Sequence, residues 1–342
     1  MARTEQGLTP GYRQAGEPWS AGKRSTWAVR PTIAAVIPLY NKGPHIERAI
    51  RSALAQTDPA DEIIVVDDAS DDDGPALVRQ FSGRVRSLRR TEPGAGGYAA
   101  RNLAIEQAES QWIAFLDADD AWSPDYLAGM RALMAGAPAA GAVFASRTIV
   151  RSDGTSFVQT ALAGDETTRA LDFSAYVQLW LALRRSPMWT SAVVARRRAL
   201  IEAGLFPAGR CARGGDKDLW LRLARVAPLV GSAFVGATYF NDAANQVTRR
   251  ASLNTQPCVC ETIANWIDAA SPAERALLRR LYNLEASSYA KWLFGDERLS
   301  PRVYRGFYVL ENPVTYLALT AASAAPLTLQ RAVRRLIPRH PF

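Results

Sequence analysis

Two clusters of aspartates stand directly after apolar runs in this sequence of 342 residues. Asp67 and Asp68 follow the first run, and Asp117, Asp119 and Asp120 follow the second. Neighbouring carboxylates repel one another at neutral pH, so they need a cation, a hydrogen-bonding ligand or separation by solvent. A single aspartate after a strand is well explained as a turn former. Three of them within four residues favour an Mg²⁺ or Mn²⁺ site that leaves positions for water and substrate phosphates.

A glycine-rich segment, Arg213-Gly-Gly-Asp216-Lys-Asp218, leads into a run with helical spacing. Asp216 is either the cap of that helix or a carboxylate that faces a cleft. Residues two apart on a helix are separated by about 200°, so Asp216 and Asp218 cannot both face the same cleft. We therefore expect one of the two to be structural.

The segment Gly94–Ala99 satisfies the G-x-G-x-x-A pattern of a dinucleotide-binding loop, with Asp117 about where a ribose-binding acid would lie. An NAD-dependent oxidoreductase is therefore an alternative. The pattern follows the third predicted strand instead of the first, however, and it does not explain the cluster Asp117–Asp120. Arg101 and Asn102, at the start of the next helix, could instead approach a nucleotide diphosphate.

The elements around these residues alternate between apolar runs, turn residues and helical spacing, which is typical of a parallel sheet with crossover helices. The predicted strands, all but the third nearly continuously apolar, are Ile33–Leu39, Glu62–Val66, Val85–Arg89, Trp112–Leu116 and Gly141–Ser146. The predicted helices include Pro44–Ala55, Tyr98–Ala108, Phe173–Leu183 and Asp216–Val226. The sequence thus predicts an α/β fold with a Rossmann-like, mostly parallel sheet flanked by helices, and a mainly helical C-terminal extension beyond it.

The amino-acid composition and the distribution of charge argue against several classes of site and partner. Three cysteines and two histidines exclude a disulfide framework and leave little material for a His-based triad or a His-ligated zinc site. The net charge of +8 resides mainly in residues 1–31 and 328–342, so we expect no nucleic-acid partner. No apolar run reaches the ~18 residues of a membrane span. The nearest, Val314–Leu329, is followed by Arg331, Arg334 and Arg335, which favours an amphipathic helix in peripheral contact with a membrane.

Four motifs, in this order and spacing, resemble those of the family 2 glycosyltransferases, inverting enzymes with the GT-A fold. They are the strand and turn at 35–42 (Ala-Val-Ile-Pro-Leu-Tyr-Asn-Lys), Val65–Ser70, the Ala-Arg-Asn element Ala100–Asn102, and the D-x-D motif within Phe115–Asp120. The resemblance covers roughly residues 32–230. It is specific because four motifs agree, although each alone is weak.

The resemblance implies a role for each matching residue. Pro38 and Tyr40 would line the nucleoside pocket, and Asp68 would bind the uracil or other base. Arg101 would lie near the nucleotide, and Asp117 would contact the ribose or metal-bound water.

The same resemblance implies which residues bind the metal ion and the diphosphate and which residue acts as the base. Asp119 would be the main protein ligand of Mn²⁺ or Mg²⁺, and Asp216 would be the general base. The family's Glu-Asp motif matches Gly215-Asp216, with its first acid replaced by glycine. Arg249 and Arg250 are candidates for contact with the donor diphosphate.

We therefore expect a disordered leader at residues 1–31 and a GT-A domain at 32–240, with a nucleotide-binding half (32–122) and an acceptor half (123–240). A helical extension at 241–342 would have a basic, membrane-associated end. The expected activity is metal-dependent, inverting transfer of a sugar from a nucleotide-sugar donor, with UDP favoured, to a saccharide or lipid-linked hydroxyl acceptor. Such a reaction serves cell-surface polysaccharide or glycolipid synthesis, in the cytoplasm or on the inner face of the plasma membrane. A catalytically inactive nucleotide-binding relative is the remaining alternative.

Overall fold

The computed structural model describes residues 30–211, 213–242, 256–294 and 299–336. All but the last two residues of the predicted leader lie outside these ranges, and so do Arg249 and Arg250.

Within the described residues, ten strands form one sheet. They are β1 (Ile33–Leu39), β2 (Glu62–Asp67), β3 (Arg86–Arg89), β4 (Trp112–Phe115), β5 (Ala121–Trp122), β6 (Ala142–Val150), β7 (Ser156–Gln159), β8 (Thr168–Leu171), β9 (Val193–Arg196) and β10 (Leu229–Phe240). Their order is β3-β2-β1-β4-β9-β6-β10-β5, and β7 pairs with β6 while β8 pairs with β10.

Helices cover both faces of this sheet and continue beyond it. They are α1 (Gly43–Leu54), α2 (Gly74–Arg79), α3 (Tyr98–Gln107), α4 (Tyr126–Gly136), α5 (Phe173–Leu183), α6 (Arg197–Glu202), α7 (Gly215–Val226), α8 (Cys258–Ile267), α9 (Pro272–Leu293), α10 (Pro313–Ala324) and α11 (Leu327–Leu336). Short 3-10 turns occur at Ala95–Gly97, Thr190–Ala192, Pro301–Tyr304 and Val309–Glu311.

The sheet is parallel in its first half and mixed in its second. β1 pairs in parallel with β2 and β4, and β2 with β3. β9 then lies antiparallel between β4 and β6, whereas β10 runs parallel to β6. This sheet with flanking helices confirms the predicted α/β class. It is mixed rather than mostly parallel, because five of its nine strand pairings are antiparallel, and three of the four parallel pairings lie in the expected nucleotide-binding half.

Strand β1 shows how the sequence places the core. Its residues alternate between the two faces of the sheet, because successive side chains on a strand point to opposite sides. Ile33, Ala35 and Ile37 pack with α1 and α4, whereas Ala34 and Val36 belong to the cluster formed with α3, α5 and α7. Every residue of the strand except the half-buried Pro38 is fully buried, which explains its continuous apolar sequence.

The region after β10 is mainly helical, as predicted. Helices α8 and α9 share a hydrophobic core with α5 and α7, where Trp180 and Trp220 lie in the same cluster as Ile263 and Leu281. No helix among the described residues is both long and apolar enough to span a membrane.

Candidate active site

The candidate site lies at the carboxyl end of the parallel strands, where the loops after β1 and β2 hold each other in place. The Asn41 amide N–H donates to Ser70 Oγ at 3.1 Å, and the Asn41 Oδ1 accepts from the Asp71 amide at 2.9 Å. The Gly43 amide, at the start of α1, donates to Asp72 Oδ2 at 2.7 Å. These bonds fix the edge of the sheet at which ligands of open α/β folds bind.

Asp68 anchors the glycine-rich loop at 94–99. Its buried carboxylate pairs with Arg90 and accepts a hydrogen bond from the Gly94 amide at 3.0 Å. Gly96 and Gly97 have φ angles of 70° and 67°, a left-handed backbone conformation that favours glycine. The glycines therefore shape a turn beside β3, the edge strand of the sheet, next to the residue expected to bind the base.

Arg101 and Asp117 form an ion pair at the centre of the site, with the Arg101 side chain 9% exposed and that of Asp117 24% exposed. The Arg101 Nη2 lies 2.5 Å from Asp117 Oδ1, and Arg101 Nη1 donates to the Gly96 carbonyl at 2.9 Å. Burial raises the pKa of Asp117, the charges of Asp119 and Asp216 add to the rise, and Arg101 opposes it. Arg101 thus joins the glycine loop to the D-x-D motif.

Asp119 is held by two cations from the region of α1. Lys42 Nζ lies 2.6 Å from Asp119 Oδ2, and Arg48 donates to the Asp119 carbonyl at 2.5 Å. The Lys42 and Asp119 side chains are only 10% and 16% exposed, so solvent screens the pair little. Lys42 is the last residue of the first motif. Its contact with Asp119 spans 77 residues of sequence, so the motif alone does not predict it.

The donor set around Asp119 suits a divalent cation that is shared with a substrate. No group of three or more His, Cys, Asp or Glu side chains that could hold a metal ion occurs among the described residues. Mg²⁺ is commonly held by one or two carboxylates together with substrate phosphates and water. Asp119, with Asp117 two residues away, meets that requirement if a diphosphate supplies the remaining oxygen atoms.

Ser191 positions the end of the D-x-D loop, a role that no motif or spacing predicts. This buried hydroxyl donates to Asp120 Oδ2 at 2.5 Å and accepts from the Asp117 amide at 3.1 Å, while the Ser191 carbonyl accepts from the Trp122 indole at 2.7 Å. Burial, followed by the charges of Asp119 and Asp117, raises the pKa of Asp120 well above its usual value. Asp120 therefore belongs to the support of the loop.

Arg147 lies on the other side of Asp120. Its guanidinium stacks 3.6 Å from the centre of the Trp189 ring, and its Nη2 donates to Gln159 at 2.5 Å. Burial lowers the pKa of Arg147 to about 9, although the charge of Asp120 counters the effect. The Trp189 indole in turn lies 3.5 Å from Asp120 Oδ2, so the stacked Arg147 and Trp189 side chains pack beside Asp120.

Asp216 occupies the second position of α7. The helix is preceded by Gly214, whose φ of 72° places it as the N-cap, so Asp216 itself does not cap the helix. Burial and then the charge of Asp216 raise the pKa of Tyr98 well above its usual range. Within the described residues, the Asp216 carboxylate makes no hydrogen bond or ion pair. It therefore lies within electrostatic reach of Tyr98 and Asp117 with its oxygen atoms uncommitted.

Asp218 is the structural member of the pair, whereas the helical spacing predicted only that one of the two would be. It is fully buried, accepts a hydrogen bond from Thr262 of α8, and pairs with Arg222 at 2.9 Å. These contacts tie α7 to the helical extension and leave Asp216 to face the site.

Tight packing leaves no room for a side chain at position 215, where the sequence resemblance leads us to expect an acid. The Gly215 amide donates to Tyr98 Oη at 2.9 Å. A Cβ at this position would lie 2.8 Å from both the Tyr98 ring and the Pro207 ring. The space that a longer side chain needs is already filled by Tyr98.

The predicted nucleoside-lining residues flank the glycine loop. Pro38 is the one half-buried residue of β1, and its Cβ lies 3.6 Å from where a Cβ on Gly97 would stand. Tyr40 follows with 42% of its surface exposed, an open aromatic side chain at the mouth of the site. The structure therefore brings Pro38, Asp68, Arg101 and Asp117 together around the glycine loop, and Asp119 and Asp216 lie near enough to Asp117 for their charges to raise its pKa.

Comparison with known proteins agrees with this geometry. Residues 34–203 match the family model described as Glycosyl transferase family 2, and this part of the chain belongs to that family.

Two relatives illustrate the sequence similarity. The succinoglycan biosynthesis protein ExoO of Rhizobium meliloti is 41% identical over 128 residues, which cover 37% of this chain and 36% of that protein. The Escherichia coli protein WfgD, named as a UDP-Glc:alpha-D-GlcNAc-diphosphoundecaprenol beta-1,3-glucosyltransferase, is 38% identical over 90 residues, or 26% of this chain and 36% of that protein. The matched segments thus span little more than a third of these relatives.

Solved structures show the GT-A fold over most of the chain. Staphylococcus aureus TarS 1-349 in complex with UDP-GlcNAc superposes with a TM-score of 0.64 at 16% identity, covering 89% of this chain and 90% of that one. The mannosyltransferase PcManGT of Pyrobaculum calidifontis, in complex with GDP-Man and Mn²⁺, superposes with a TM-score of 0.53 at 18% identity, covering 92% and 84%. The predicted GT-A fold is confirmed.

Proposed function

We propose that this chain transfers a sugar from a nucleoside-diphosphate sugar to a hydroxyl acceptor, with inversion at the anomeric carbon and with Asp216 as general base. One observation carries the proposal. Asp68, Asp117 and Asp119 are each paired with a cation, whereas Asp216 is uncommitted within the described residues. A general base needs such a carboxylate within reach of the proton that it removes.

The reaction follows from this arrangement. Asp216 takes the proton of the acceptor hydroxyl while that oxygen attacks the anomeric carbon of the donor sugar. The new carbon–oxygen bond forms on the face opposite the diphosphate, and the bond to the diphosphate oxygen breaks as the nucleoside diphosphate leaves. One protein carboxylate is enough for a direct displacement of this kind, because the leaving diphosphate needs charge stabilisation rather than a second protein acid.

Binding of the donor would use the residues on the glycine-loop side. Pro38 and Tyr40 would line the nucleoside pocket, and Asp68 would bind the base. Arg101 would approach the nucleotide, and Asp117 the ribose. The complexes of TarS with UDP-GlcNAc and of PcManGT with GDP-Man support a nucleotide-sugar donor, and we favour UDP.

A divalent cation would be held mainly by Asp119. When bound, Mn²⁺ or Mg²⁺ neutralises the diphosphate as a leaving group. Lys42 would give up part of its contact with Asp119 in that state, because both cations bind the same carboxylate.

The acceptor would be a saccharide or a lipid-linked saccharide in cell-surface polysaccharide or glycolipid synthesis. The names of ExoO and WfgD support this class of acceptor. The free thiols Cys211, Cys258 and Cys260 suit the reducing conditions of the cytoplasm, and we place the protein there, at the inner face of the plasma membrane.

Calorimetric titration of UDP, with Mn²⁺ and again with EDTA, tests the proposal. We expect binding that depends on the metal ion, with GDP as the comparison that identifies the base. NAD serves as a second comparison, because the oxidoreductase alternative predicts NAD binding without metal. NAD binding with no response to either nucleoside diphosphate would overturn the proposal, and nucleotide binding without turnover on any acceptor would favour an inactive relative.

A further inference from the structure

Exposed apolar side chains are concentrated in one segment of the helical extension. Nine large hydrophobic residues are exposed in the described parts of the chain, and six of them lie between positions 309 and 333. Leu310 is 99% exposed, Val314 76% and Leu317 66%. The other three of this group are Val309, Leu329 and Val333, and we call these six residues the apolar patch.

Helix α10 contributes an apolar stripe to the patch. Val314, Leu317, Ala318 and Ala321 are exposed at helical spacings of three and four residues, so they lie on one face. The opposite face is packed, with Leu319 buried in the core of the extension. No residue of α10 is charged. One face of this helix is thus partnered within the fold, and the other presents only small and apolar side chains.

Helix α11 continues the patch and adds charge. The Gln330 amide group, fully buried, donates to the Ala322 and Ala325 carbonyls at 2.8 and 3.0 Å and so fixes the turn from α10. Leu329 and Val333 lie one turn apart on the exposed side. Arg331 is also exposed, about 200° around the helix from each of them, so α11 presents apolar and cationic groups to solvent on different sides.

Arginines also border the patch at its other end. A shallow cavity of about 320 Å³ is lined by Arg302, Arg305, Tyr316 and the patch residue Val309, among others. From position 299 to 336 the sequence has five arginines and one acid, Glu311. Guanidinium groups bind phosphate well, so this border is complementary to an anionic surface.

We propose that the apolar patch docks this protein on the surface of an anionic lipid bilayer. An apolar helix face flanked by arginines is the pattern of helices that lie in the plane of the membrane interface, where the apolar side chains enter the acyl boundary. The arginines then remain at the level of the lipid phosphates, each adding attraction to an anionic leaflet. The arginine border favours a lipid surface over a second copy of the chain, whose own patch would carry the same positive charge.

Helix α9 connects the patch to the base-bearing helix. Its Asn283 exchanges two hydrogen bonds of 2.9 Å with the backbone of Tyr308, next to the patch. Two turns along, Tyr289 Oη donates to the Arg213 carbonyl at 3.0 Å, just before α7. Docking would therefore hold the acceptor side of the site at the membrane. The membrane proposal stands without the proposed activity, since it concerns binding alone.

Co-sedimentation of the full chain with vesicles tests the proposal. We expect binding to phosphatidylcholine vesicles that contain phosphatidylglycerol, weaker binding at high salt, and binding about tenfold weaker to phosphatidylcholine alone. The double variant Leu310→Glu/Leu317→Glu should bind the anionic vesicles at least about tenfold more weakly. Val158→Glu/Ile201→Glu is the matched control, because it changes two exposed apolar residues outside the patch and should bind like the wild type.

Two further measurements make the outcome decisive. Circular dichroism of the leucine variant checks its fold without relying on the proposed function, and if that variant is misfolded, Arg302→Gln/Arg305→Gln should still lose the preference for anionic vesicles. Sedimentation velocity detects self-association. Absence of vesicle binding by the wild type, equal loss in both double variants, or a dimer that the leucine variant converts to monomer without any vesicle binding would overturn the proposal.

Discussion

Lys42 Nζ lies 2.6 Å from Asp119 Oδ2, so the aspartate expected to hold a metal ion is paired with an ammonium group of this chain. Asp117 is paired likewise, because Arg101 Nη2 lies 2.5 Å from Asp117 Oδ1. Both pairs satisfy carboxylates that would otherwise repel each other at the strand ends. A cation from solution must therefore compete with one that is already in place.

Replacing Lys42 with methionine tests this competition. We expect Lys42→Met to tighten Mn²⁺ binding in the absence of nucleotide by about tenfold, equal to about 1.4 kcal/mol, because Asp119 then lacks its internal counter-ion. Titration of Mn²⁺ followed by electron paramagnetic resonance measures the free ion directly. Arg51→Met is the control, since Arg51 is two-thirds exposed and its ion pair is with Glu47 on the same helix, away from Asp119. Unchanged or weaker Mn²⁺ binding by Lys42→Met would count against the competition.

Much of the fold could be predicted from the sequence, because burial leaves a direct pattern. Strand β1 and helix α5 have the predicted bounds, Ile33–Leu39 and Phe173–Leu183. Strand β10 was missed because Gly231 and Gly236 interrupt its apolar residues and much of the strand is only half-buried. Short strands such as β5 carry too few residues to form a pattern.

Only part of the candidate site could be predicted, and that part follows from motifs rather than from burial. Motif residues stand at strand and helix ends, so their positions follow from the order of the elements. Their partners do not, because Ser191 meets Asp120 across 71 residues of sequence. Helical spacing likewise predicted that Asp216 or Asp218 is structural, but the assignment needed Thr262, which lies 44 residues away from Asp218.

Position 215 tests how tightly the start of α7 is packed. A Cβ at Gly215 would lie 2.8 Å from Tyr98 and Pro207, which is closer than van der Waals contact allows. We expect Gly215→Ala to lower the free energy of unfolding by about 1–3 kcal/mol, as overpacking does elsewhere. Gly215→Glu, which restores the family's acid, should be worse and should not raise turnover. Urea denaturation measures the change.

Gly136→Ala is the matched control for position 215, because nothing lies within 4 Å of a Cβ at that position. It should leave stability unchanged or raise it slightly, since alanine has less freedom in the unfolded chain. Equal effects of the two alanine substitutions would show that Tyr98 and Pro207 give way easily.

The contacts of Asp61 at the start of β1 should make the stability of the fold depend on pH. Its carboxylate accepts from the Ile33 amide at 2.8 Å and pairs with Arg30 and Arg131 at 2.8 and 3.1 Å. Burial would raise the pKa of Asp61, but the Ile33 hydrogen bond and the two arginines outweigh it and lower the pKa below 3.8. The stabilisation is therefore complete above pH 3.8 and is lost as the pH falls through the lowered pKa.

Asp61→Asn should remove this contribution. We expect a loss of about 1–3 kcal/mol in the free energy of unfolding at neutral pH, because hydrogen bonds to a charged group are lost. The difference from the wild type should shrink as the pH falls below 3.8. Urea denaturation at neutral and acid pH measures both, with exposed Asp165→Asn as the control. A difference that stays constant with pH would contradict the role of the Asp61 charge.

Asp216→Asn separates proton transfer from donor binding. Asparagine keeps the shape of the side chain but cannot accept the proton, so we expect turnover to fall about 10²- to 10⁴-fold while the Kd for UDP changes by less than about twofold. Asp218→Asn is the contrasting variant, because the fully buried Asp218 binds Thr262 and Arg222. It should lower stability and leave the turnover of the folded fraction nearly intact. Steady-state kinetics and calorimetry on both variants make the comparison, and an Asp216→Asn variant that keeps most of its turnover would exclude this residue as the base.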